Sequence, residues 1–558
     1  MKNKGSIFKK VKILFVVLLI SGSATFFYSF KEDYFEISKN LEIFTSLYRE
    51  LNMFYVDETN PGDLMKTGID AMLESLDPYT NYIPETDIED YRFMTTGQYG
   101  GIGSLIRAMD GDVFIAEPYE NSPSQKAGLK AGDKILKIDG TSIKGKDQEE
   151  ISKILKGQAG TTVNILLERD GAAMEKSIKR EEIKIPDVAF SGMLDSTTGY
   201  IRLGSFTRTA GKEVKEAFLK LKNEQGMKNL VFDLRGNGGG LLNEAVDIVN
   251  YFIPKGQEVV NTKGKISEWD KSYKALNEPL DTEIPMVVLV DGNSASASEI
   301  VSGSLQDLDR AVILGENTYG KGLVQNTRPL FYNAQLKLTV AKYYIPSGRC
   351  IQRLDYSHRD KEGSVKAVPD SLIKAFSTKH GRPVFDGRGI DPDVKLDQRE
   401  FAPVLASLVN NNLFFKYASG YEKLHPTIAS AKEFKLTDKE YTDFISFLNG
   451  KDYTYTTKTE KDLEKLKETA ETEKYYNDVK DEFEALKKDL AAEKNNDLTK
   501  FKSEIKEILE NEIVSRYYYQ KGRVETSLSN DPGIAKAKAI FADNSYKTIL
   551  SSVTQTKN

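Results

Sequence analysis

The most constraining feature of the sequence is a buried strand that runs directly into a serine-rich turn. Residues Met286–Val290 form an uninterrupted apolar, valine-rich run between turn-forming residues. Such a run is typical of a strand that is buried on both faces of a parallel sheet. Ser294, Ser296 and Ser298 follow it, and Glu299 begins a helical pattern. We therefore expect an α/β layer in which a hydroxyl lies at the start of a helix.

This serine cluster has two interpretations. The N-terminus of a helix stabilises negative charge, which favours a nucleophile whose attack generates an oxyanion beside it. Ser296 and Glu299 are also spaced as a capping box, in which a serine only caps the helix. The local sequence leaves both interpretations open.

A serine nucleophile needs a base, and the chain offers two kinds. Three histidines, His358, His380 and His425, lie downstream in polar segments, and a Ser-His-Asp arrangement assembles in space rather than in sequence. Lys321 lies in a glycine-bracketed turn, where burial would depress its pKa and make it a neutral base. We expect Lys321 to be the base and keep the histidine arrangement as the alternative.

The turn around Lys321 also nearly matches a phosphate-binding loop. Gly322 stands where that loop needs a hydroxyl to bind magnesium, and the following residues have the pattern of a strand rather than a helix. We therefore reject nucleotide binding.

Length and composition exclude several classes of protein. A chain of 558 residues is too long for one core, and we expect roughly three to five structural units. A net charge of −5 gives no indication of nucleic-acid binding. The single cysteine, Cys350, excludes internal disulfides and cysteine-based zinc sites, and the chain has only three histidines. We expect no metal and no cofactor.

The N-terminus has the pattern of a membrane segment. Several lysines between residues 2 and 12 precede an uncharged apolar stretch, Ile13–Phe30. A positive flank keeps its own side in the cytoplasm and directs the following residues across the membrane. We expect residues 1–30 to be an uncleaved anchor, with a cleaved signal peptide as the alternative.

Residues 31–96 have a helical pattern, with a break at Pro61-Gly62. They are interpreted as a helical connector or a dimerisation element.

A β-rich unit begins at the glycine-rich segment Tyr99–Ile106. Its glycines leave backbone N–H groups free to converge on an anion, as in sites that bind a terminal carboxylate. The later motifs Ala127-Gly-Leu129 and Gly132-Asp133, together with Asp139-Gly140, resemble a bacterial PDZ domain. That resemblance implies peptide binding by residues Gly101, Ile102, Gly103 and Leu105.

A second strand-to-turn junction lies at Leu230–Gly240. The apolar run Leu230–Leu234 enters Arg235-Gly-Asn-Gly-Gly-Gly240, after which a helix begins near Leu242. Glycines leave the backbone N–H groups uncovered, so this segment is either an oxyanion hole or a tight turn with positive φ angles.

Taken together, these motifs resemble the carboxyl-terminal processing peptidases, also called tail-specific proteases, over roughly residues 35–400. The matching segments are Asp233–Gly240, Ser294–Glu299, Gly320–Gln325, Tyr344–Gly348 and Gly389–Val394. The resemblance implies that Ser296 is the nucleophile, Lys321 its base and Gln325 the residue that orients the lysine. It also implies that the backbone N–H groups of Ala297 and of one glycine donate to the oxyanion. Gly240 is preferred over Gly239 as that glycine.

The predicted architecture is a multidomain α/β (α+β) protein. It has a crotonase-like or ClpP-like ββα peptidase core, an inserted PDZ domain and helical N- and C-terminal regions. The predicted domain boundaries are 1–30 for the anchor, 31–96 for the helical N-terminal region, 97–182 for the PDZ domain, 183–400 for the catalytic domain and 401–558 for the helical C-terminal region. The C-terminal region carries an apolar stripe between Leu463 and Leu509, which we interpret as packing.

The resemblance implies a membrane-anchored serine endopeptidase that binds the C-terminal tails of its protein substrates and cleaves them with a Ser-Lys dyad. Its catalytic domain would face the periplasm or the cell exterior, and no nucleic acid would be bound. The terminal helical segments, rather than the resemblance, suggest a homodimer as one possible oligomeric state. The alternatives are a non-catalytic PDZ scaffold and a serine hydrolase that acts on non-peptide esters.

Overall fold

A computed structural model describes residues 34–397, 400–543 and 545–551. They divide into two units, the second of which begins at Ile83. The predicted anchor, residues 1–30, lies outside the described residues. Within the part of the chain that is described, no helix combines the length and the apolar character needed to cross a membrane.

The first unit contains two helices. One covers residues 34–54 and the other runs from Pro61 to Glu74. The side chain of Asn60 caps the second helix by accepting hydrogen bonds from its first N–H groups. Both helices leave large apolar side chains exposed, among them Phe35, Ile37, Leu41, Phe44, Leu47, Leu51, Leu64 and Met72.

A short strand, Asn81–Ile83, and a 3₁₀ turn, Glu85–Asp87, precede the helix Ile88–Thr96. An antiparallel β domain then follows. Its strands are Gln98–Gly101, Ser104–Met109, Asp112–Pro118, Lys134–Ile138, Thr141–Ser142, Thr162–Arg169, Ala172–Lys179 and Glu181–Lys184, and its helices are Pro123–Lys126 and Gln148–Leu155.

The strand Ser104–Met109 is the edge of the main sheet of this domain, and the helix Gln148–Leu155 lies beside it. A capping box between Asp147 and Glu150 starts that helix. Ile151 and Leu155, one turn apart on its inner face, are buried in the core of the domain. The edge strand and the helix thus form the two walls of a groove.

The region between residues 188 and 395 is built on a six-stranded sheet whose strands follow one another in chain order. The first two strands are antiparallel and the others are parallel. The strands are Val188–Met193, Thr198–Leu203, Asn229–Asp233, Met286–Val290, Val312–Gly315 and Val394–Lys395, and the helices between them are Ala210–Leu219, Leu242–Asn250 and Ala297–Asp307, with a π-turn at Lys220–Glu224.

Met286–Val290 is a central strand and all five of its residues are buried, as its sequence predicted. Met286, Val288 and Val290 pack against the three helices on one face. Val287 and Leu289 point to the opposite face, where Ile534 and Ile540 of the C-terminal region cover them. Because both faces are buried, the strand has no polar side, and its sequence is a continuous apolar run.

A second sheet supports the lysine turn. The hairpin Leu323–Pro329 and Gln335–Tyr344 pairs with Glu258–Gly264, which pairs with Lys271–Lys274. Smaller elements complete the region: the hairpins Leu354–Arg359 with Val365–Ala367 and Ala375–Ser377 with Pro383–Phe385, and the 3₁₀ turns Ser267–Trp269 and Asp370–Leu372.

The C-terminal region is helical, as expected. Its helices are Pro403–Asn410, Leu413–Leu424, Asp438–Leu448, Lys458–Thr472, Lys480–Lys494, Asp497–Lys500, Lys502–Leu528, Pro532–Ala542 and Ser545–Ser551, with a 3₁₀ turn at Tyr476–Asp478. The predicted apolar stripe packs only in part: Ile505 and Leu509 are buried in the core of this region, whereas Leu466 and Leu486 are exposed.

Candidate active site

Ser296 lies at the junction between the strand Met286–Val290 and the helix Ala297–Asp307. Its backbone has a φ of 56° and a ψ of −112°, a combination that side-chain-bearing residues rarely adopt. Strained backbone of this kind is concentrated at functional sites, where the surrounding structure holds it in place. The geometry thus singles out Ser296 among the residues of the turn.

The two neighbouring serines are occupied by structural hydrogen bonds. The hydroxyl of Ser294 donates to the carbonyl of Leu234 (2.9 Å), and the hydroxyl of Ser298 donates to the carbonyl of Asn237 (2.9 Å). Both side chains are completely buried, whereas Ser296 is partly exposed. Of the three serines, Ser296 is therefore the one that a substrate can reach.

Glu299 joins the serine turn to the lysine turn. Four groups donate hydrogen bonds of 2.5 to 2.9 Å to its carboxylate: the N–H groups of Ser296, Gly320 and Lys321 and the hydroxyl of Thr318. Burial raises the pKa of Glu299 to about 7, because the four hydrogen bonds only partly offset the loss of hydration. The capping box in the sequence accounts for the bond to Ser296 but for none of the bonds to the lysine turn.

Tyr343 adds a second connection between the two turns. Its buried hydroxyl donates to the carbonyl of Lys321 (2.6 Å) and lies 3.1 Å from the carbonyl oxygen of Ser296. The backbone of Lys321 is thus fixed on its N–H side by Glu299 and on its carbonyl side by Tyr343. This fixation limits how far the lysine side chain can move from the serine.

The glycine-rich turn is held against the serine turn by Asn237, which is completely buried. Its carbonyl accepts hydrogen bonds from the N–H of Ala295 (3.1 Å) and the hydroxyl of Ser298, and its amide donates to the carbonyl of Leu203 (2.9 Å). The role of Asn237 is not among those predicted from the sequence. Its position as the one amide side chain in a run of glycines is the signal that marks it.

Gly239 does not act as the predicted oxyanion donor. Its N–H donates to the side-chain oxygen of Asn237 (2.9 Å) and is therefore not free for a substrate. The glycine is needed for space instead: a Cβ atom here would lie 2.9 Å from the backbone nitrogen of Ala297 and 2.9 Å from the Cβ of Ser296, and its φ is +99°.

Gly240 has the geometry of a donor. The carbonyl of Gly239 accepts a hydrogen bond from the N–H of Phe206 (3.3 Å). In a trans peptide the N–H points opposite to the carbonyl, so the N–H of Gly240 points away from Phe206. Gly240 lines the same cavity as Ser296, and Ala297 provides the first N–H of the adjoining helix.

One cavity of about 450 Å³ brings the predicted catalytic residues together. Its wall includes Ser296, Ala297, Lys321, Gln325, Tyr343 and the glycines 238–240. Tyr91, Met94 and Thr95 of the helix Ile88–Thr96 line it as well, which the sequence did not indicate. The serine and the lysine thus share one solvent-accessible space.

Gln325 lines this cavity, but the predicted reason for its position is wrong. The strand alternation that would place Lys321 and Gln325 on one face is interrupted by a β-bulge between Val324 and Gln325. The side-chain amide of Gln325 donates to the hydroxyl of Thr339 on the neighbouring strand (3.1 Å). The assignment of Gln325 as the residue that orients the lysine stays a prediction.

The histidine alternative has no support in the geometry. None of the three histidines, all of which are described, lines the cavity. His358 contacts Asp355, His380 contacts Asp309, and His425 stacks on Tyr421. Among the described residues there is also no group of three or more histidine, cysteine or acidic side chains that could hold a metal ion.

The groove of the small β domain ends in a narrow cavity of about 30 Å³. Ile102 and Gly103 line it, together with Ser104, Ile106 and Leu155, whereas Gly101 and Leu105 do not. Leu105 points outward and is 40% exposed. Of the four predicted peptide-binding residues, the structure therefore places two at the groove.

Backbone N–H groups point toward this cavity. The carbonyls of Ile102 and Gly103 accept hydrogen bonds from the N–H groups of Ser124 and Tyr119 (2.9 Å each). Their trans peptide groups direct the N–H of Gly103 and of Ser104 the opposite way, toward the groove. Two adjacent N–H groups of this kind form a binding site for a carboxylate.

The sequence matches known proteases over most of the chain. A model of peptidase family S41 matches residues 197–356, a PDZ-domain model matches residues 114–169, and a model of the C-terminal helical domain of probable PDZ-proteases matches residues 404–541. A carboxy-terminal-processing protease of Bartonella bacilliformis is 36% identical over 319 residues, which cover 56% of this chain and 73% of the relative. The chain belongs to the carboxy-terminal-processing proteases.

A second relative supports the same assignment. A probable CtpA-like serine protease of Staphylococcus aureus is 33% identical over 438 residues, which cover 77% of this chain and 80% of the relative. The solved photosystem II D1 C-terminal processing protease is 27% identical, with a TM-score of 0.34 over 63% of this chain and 92% of that one. The chain is thus a serine-type peptidase with a PDZ domain and a C-terminal helical domain.

The substitution Glu299→Gln tests the role of the buried carboxylate. The pKa of Glu299 is raised from 4.5 to about 7 in the folded protein. Its contribution to stability is therefore largest below the unfolded pKa and is lost as the pH rises through about 7. We expect the free energy of unfolding of the natural protein, relative to that of the variant, to fall between about pH 5 and about pH 8 in denaturant titrations.

The same variant is expected to lose about 100-fold in kcat. An amide has one acceptor oxygen where the carboxylate has two, and its NH₂ group would face N–H donors, so at least one of the three bonds from the N–H groups of the two turns is lost and the lysine turn shifts relative to the serine. Glu244→Gln is the matched control, since Glu244 is a half-buried glutamate outside the cavity that accepts a hydrogen bond from Gly211 (2.9 Å). If the free energy of unfolding depends on pH in the same way in the natural protein and in Glu299→Gln, the role assigned to Glu299 is contradicted.

Proposed function

We propose that this protease cleaves peptide bonds with a Ser296–Lys321 dyad and binds the C-terminal tails of its substrates in the PDZ groove. The observation that carries the proposal is the single cavity that Ser296, Lys321, Ala297 and Gly240 line. A nucleophile, a base and two backbone donors within one space meet the requirements of acyl transfer.

In the proposed reaction, neutral Lys321 takes the proton of the Ser296 hydroxyl while the oxygen attacks the carbonyl carbon of the peptide bond. The resulting oxyanion accepts hydrogen bonds from the N–H groups of Ala297 and Gly240. Protonated Lys321 then gives its proton to the departing amine, which leaves Ser296 as an ester of the remaining substrate. Water hydrolyses this ester, with Lys321 again acting as the base.

The PDZ groove supports the choice of a protein tail as substrate. A peptide can extend the sheet along the edge strand Ser104–Met109, while its terminal carboxylate accepts from the N–H groups of Gly103 and Ser104. The cavity at the end of the groove is small, and Ile102, Ile106 and Leu155 line part of it, which favours a tail that ends in a small apolar residue.

Substitution of either member of the dyad should abolish cleavage of a denatured protein. We expect Ser296→Ala and Lys321→Ala to lower kcat by at least about 1000-fold, since a serine nucleophile is ineffective without its base. The matched controls are Ser267→Ala and Lys342→Ala, which change exposed residues outside the cavity and should leave kcat within about twofold.

The two alternatives give different results in this assay. A non-catalytic scaffold would bind tail peptides without turnover by the natural protein. A hydrolase of non-peptide esters would cleave small esters in a Ser296-dependent way but leave the denatured protein intact.

We also propose that residues 13–30 anchor the protease in a membrane and that its catalytic region lies outside the cytoplasm. The lysines before residue 13 and the uncharged segment after them support this. We expect the full chain to remain in isolated membranes through a high-salt wash and to dissolve in detergent. Release by salt alone would contradict an integral anchor.

We further propose that the first unit mediates formation of a homodimer. Its two helices expose large apolar side chains that a second copy could bury, and Leu41 and Leu47 are 61% and 53% exposed. The double substitution Leu41→Glu with Leu47→Glu should convert a dimer into a monomer in analytical ultracentrifugation. As a control, Lys39→Glu with Arg49→Glu places charge at exposed polar positions of the same helix and should leave the dimer intact. A monomeric natural protein would contradict the proposal.

A further inference from the structure

The hairpin of the second sheet ends in a turn with unusually exposed side chains. Leu330, Phe331 and Tyr332 directly follow the strand Leu323–Pro329, and we call these three residues the hairpin tip. Phe331 and Tyr332 are 90% and 92% exposed, the highest values for large hydrophobic side chains in the part of the chain that the structure describes. Single apolar side chains on a surface are common, but three consecutive ones indicate a surface that another molecule covers.

The backbone of the turn does not account for its aromatic side chains. The N–H of Ala334 donates to the carbonyl of Phe331 (3.3 Å), and the two residues between them, Tyr332 and Asn333, have φ angles of 55° and 56°. A turn of this type prefers asparagine, aspartate or glycine at both central positions, because positive φ strains a bulky side chain. Asn333 meets this preference and Tyr332 does not. The tyrosine side chain therefore needs an explanation outside the turn.

The sheet that carries the tip is basic. Its strands and their connections, residues 258–274 and 323–344, contain seven basic and three acidic residues, although the whole chain has a net charge of −5. Four exposed basic side chains form no ion pair with any described residue: Lys263, Lys265, Lys271 and Arg328. Their charge is thus available to an anionic partner.

Aromatic rings and cations also lie next to each other on this sheet. The guanidinium of Arg328, two residues before Leu330, stacks on the ring of Trp269 at 4.6 Å from its centroid. The Nζ of Lys263 lies 5.3 Å from the ring centroid of Tyr344. Exposed aromatic residues beside lysines and arginines are typical of protein surfaces that bind at the boundary between lipid headgroups and acyl chains.

The geometry of the hairpin favours a membrane over a protein partner. Leu323–Pro329 lies at the edge of its sheet, but Pro329 has no N–H and Arg328 is charged, and both features oppose the addition of another strand. The tip is also a narrow projection of three residues, whereas a specific protein interface needs about 800 Å² from each partner. A lipid surface requires no such complementary shape.

We propose that the hairpin tip inserts into the headgroup region of an anionic membrane and that the basic residues of the second sheet bind the lipid phosphates. This contact goes beyond the proposed function, because it is separate from the proposed anchor and does not require it. Thr327 lines the catalytic cavity and precedes Leu330 by three residues, or about 10 Å along the strand. Binding through the tip therefore holds the catalytic cavity close to the membrane surface.

Trp269 provides the measurement, because it is the single tryptophan of the chain and contacts Arg328. The full chain is reconstituted in vesicles of phosphatidylcholine with about 30% phosphatidylglycerol, with or without a lipid that carries a nitroxide quencher on its headgroup. We expect the nitroxide to quench about half of the tryptophan emission. In vesicles of phosphatidylcholine alone we expect about half as much quenching, since the basic residues then have no anionic headgroups to bind.

The tip variant combines Phe331→Ser with Tyr332→Asn. It should lower the quenching in anionic vesicles about twofold, because the apolar area that enters the membrane is lost. Asparagine adopts positive φ readily, so the urea midpoint of the variant should not fall, which verifies its fold. The matched control combines Leu372→Ser with Tyr475→Ser, which removes two side chains that are each 64% exposed and lie outside the second sheet. The control should keep the quenching of the natural protein.

Two results would overturn the proposal. The first is equal quenching in the natural protein and the tip variant. The second is equal quenching together with a lower sedimentation coefficient of the tip variant in detergent, which would assign the tip to a contact between two copies of the chain.

Failure of the proposed anchor gives a different result. If a high-salt wash releases the full chain from membranes, the released chain is mixed with the same vesicles at low salt. The same twofold difference in quenching between the natural protein and the tip variant is then expected. In that case the anchor is refuted and the contact through the hairpin tip stands.

Discussion

The position of the candidate catalytic groups depends on one buried carboxylate. Glu299 accepts hydrogen bonds from the N–H of Ser296 at the start of its own helix and from Gly320 and Lys321 on a separate turn. No water competes for these bonds, because Glu299 is completely buried. Glu299 therefore fixes the relative position of the two turns together with Tyr343, and the cost of burying the charge of Glu299 appears as its raised pKa.

The parts of this site that the sequence could predict are those with local causes. A continuous apolar run and a serine three residues before a glutamate identified the strand Met286–Val290 and the helix that follows Ser296. The partner of Gln325 could not be predicted in the same way, because a β-bulge interrupts the alternation of its strand, and a bulge depends on pairing with a distant strand. For the same reason, the bonds from Glu299 to the lysine turn, about 20 residues away, have no counterpart in the local pattern.

In the C-terminal region, an apolar pattern predicts packing only in part. The long stripe between Leu463 and Leu509 predicts a packed seam, yet its first half leaves Leu466 and Leu486 exposed. The second face of the catalytic sheet is covered instead by the helix Pro532–Ala542, which is apolar apart from Lys536 and Lys538 and therefore gives a weak periodic signal. Asp531, which caps that helix, also forms an ion pair with Arg235 at the start of the glycine-rich turn (2.6 Å). A segment that is distant in the sequence thus completes the core on one face of the catalytic sheet. It also supports the glycine-rich turn of the candidate oxyanion site.

The helix Ile88–Thr96 separates the PDZ groove from the catalytic cavity and contributes to both. Tyr91, Met94 and Thr95 line the cavity, whereas Asp90 and Phe93 contact Lys156 and Tyr99 of the PDZ domain. Neighbouring positions on a helix point in different directions, so one short helix can present a separate set of side chains to each site. A change in the contacts of Asp90 therefore acts on the same helix that forms one wall of the catalytic cavity, and no longer chain of contacts is required.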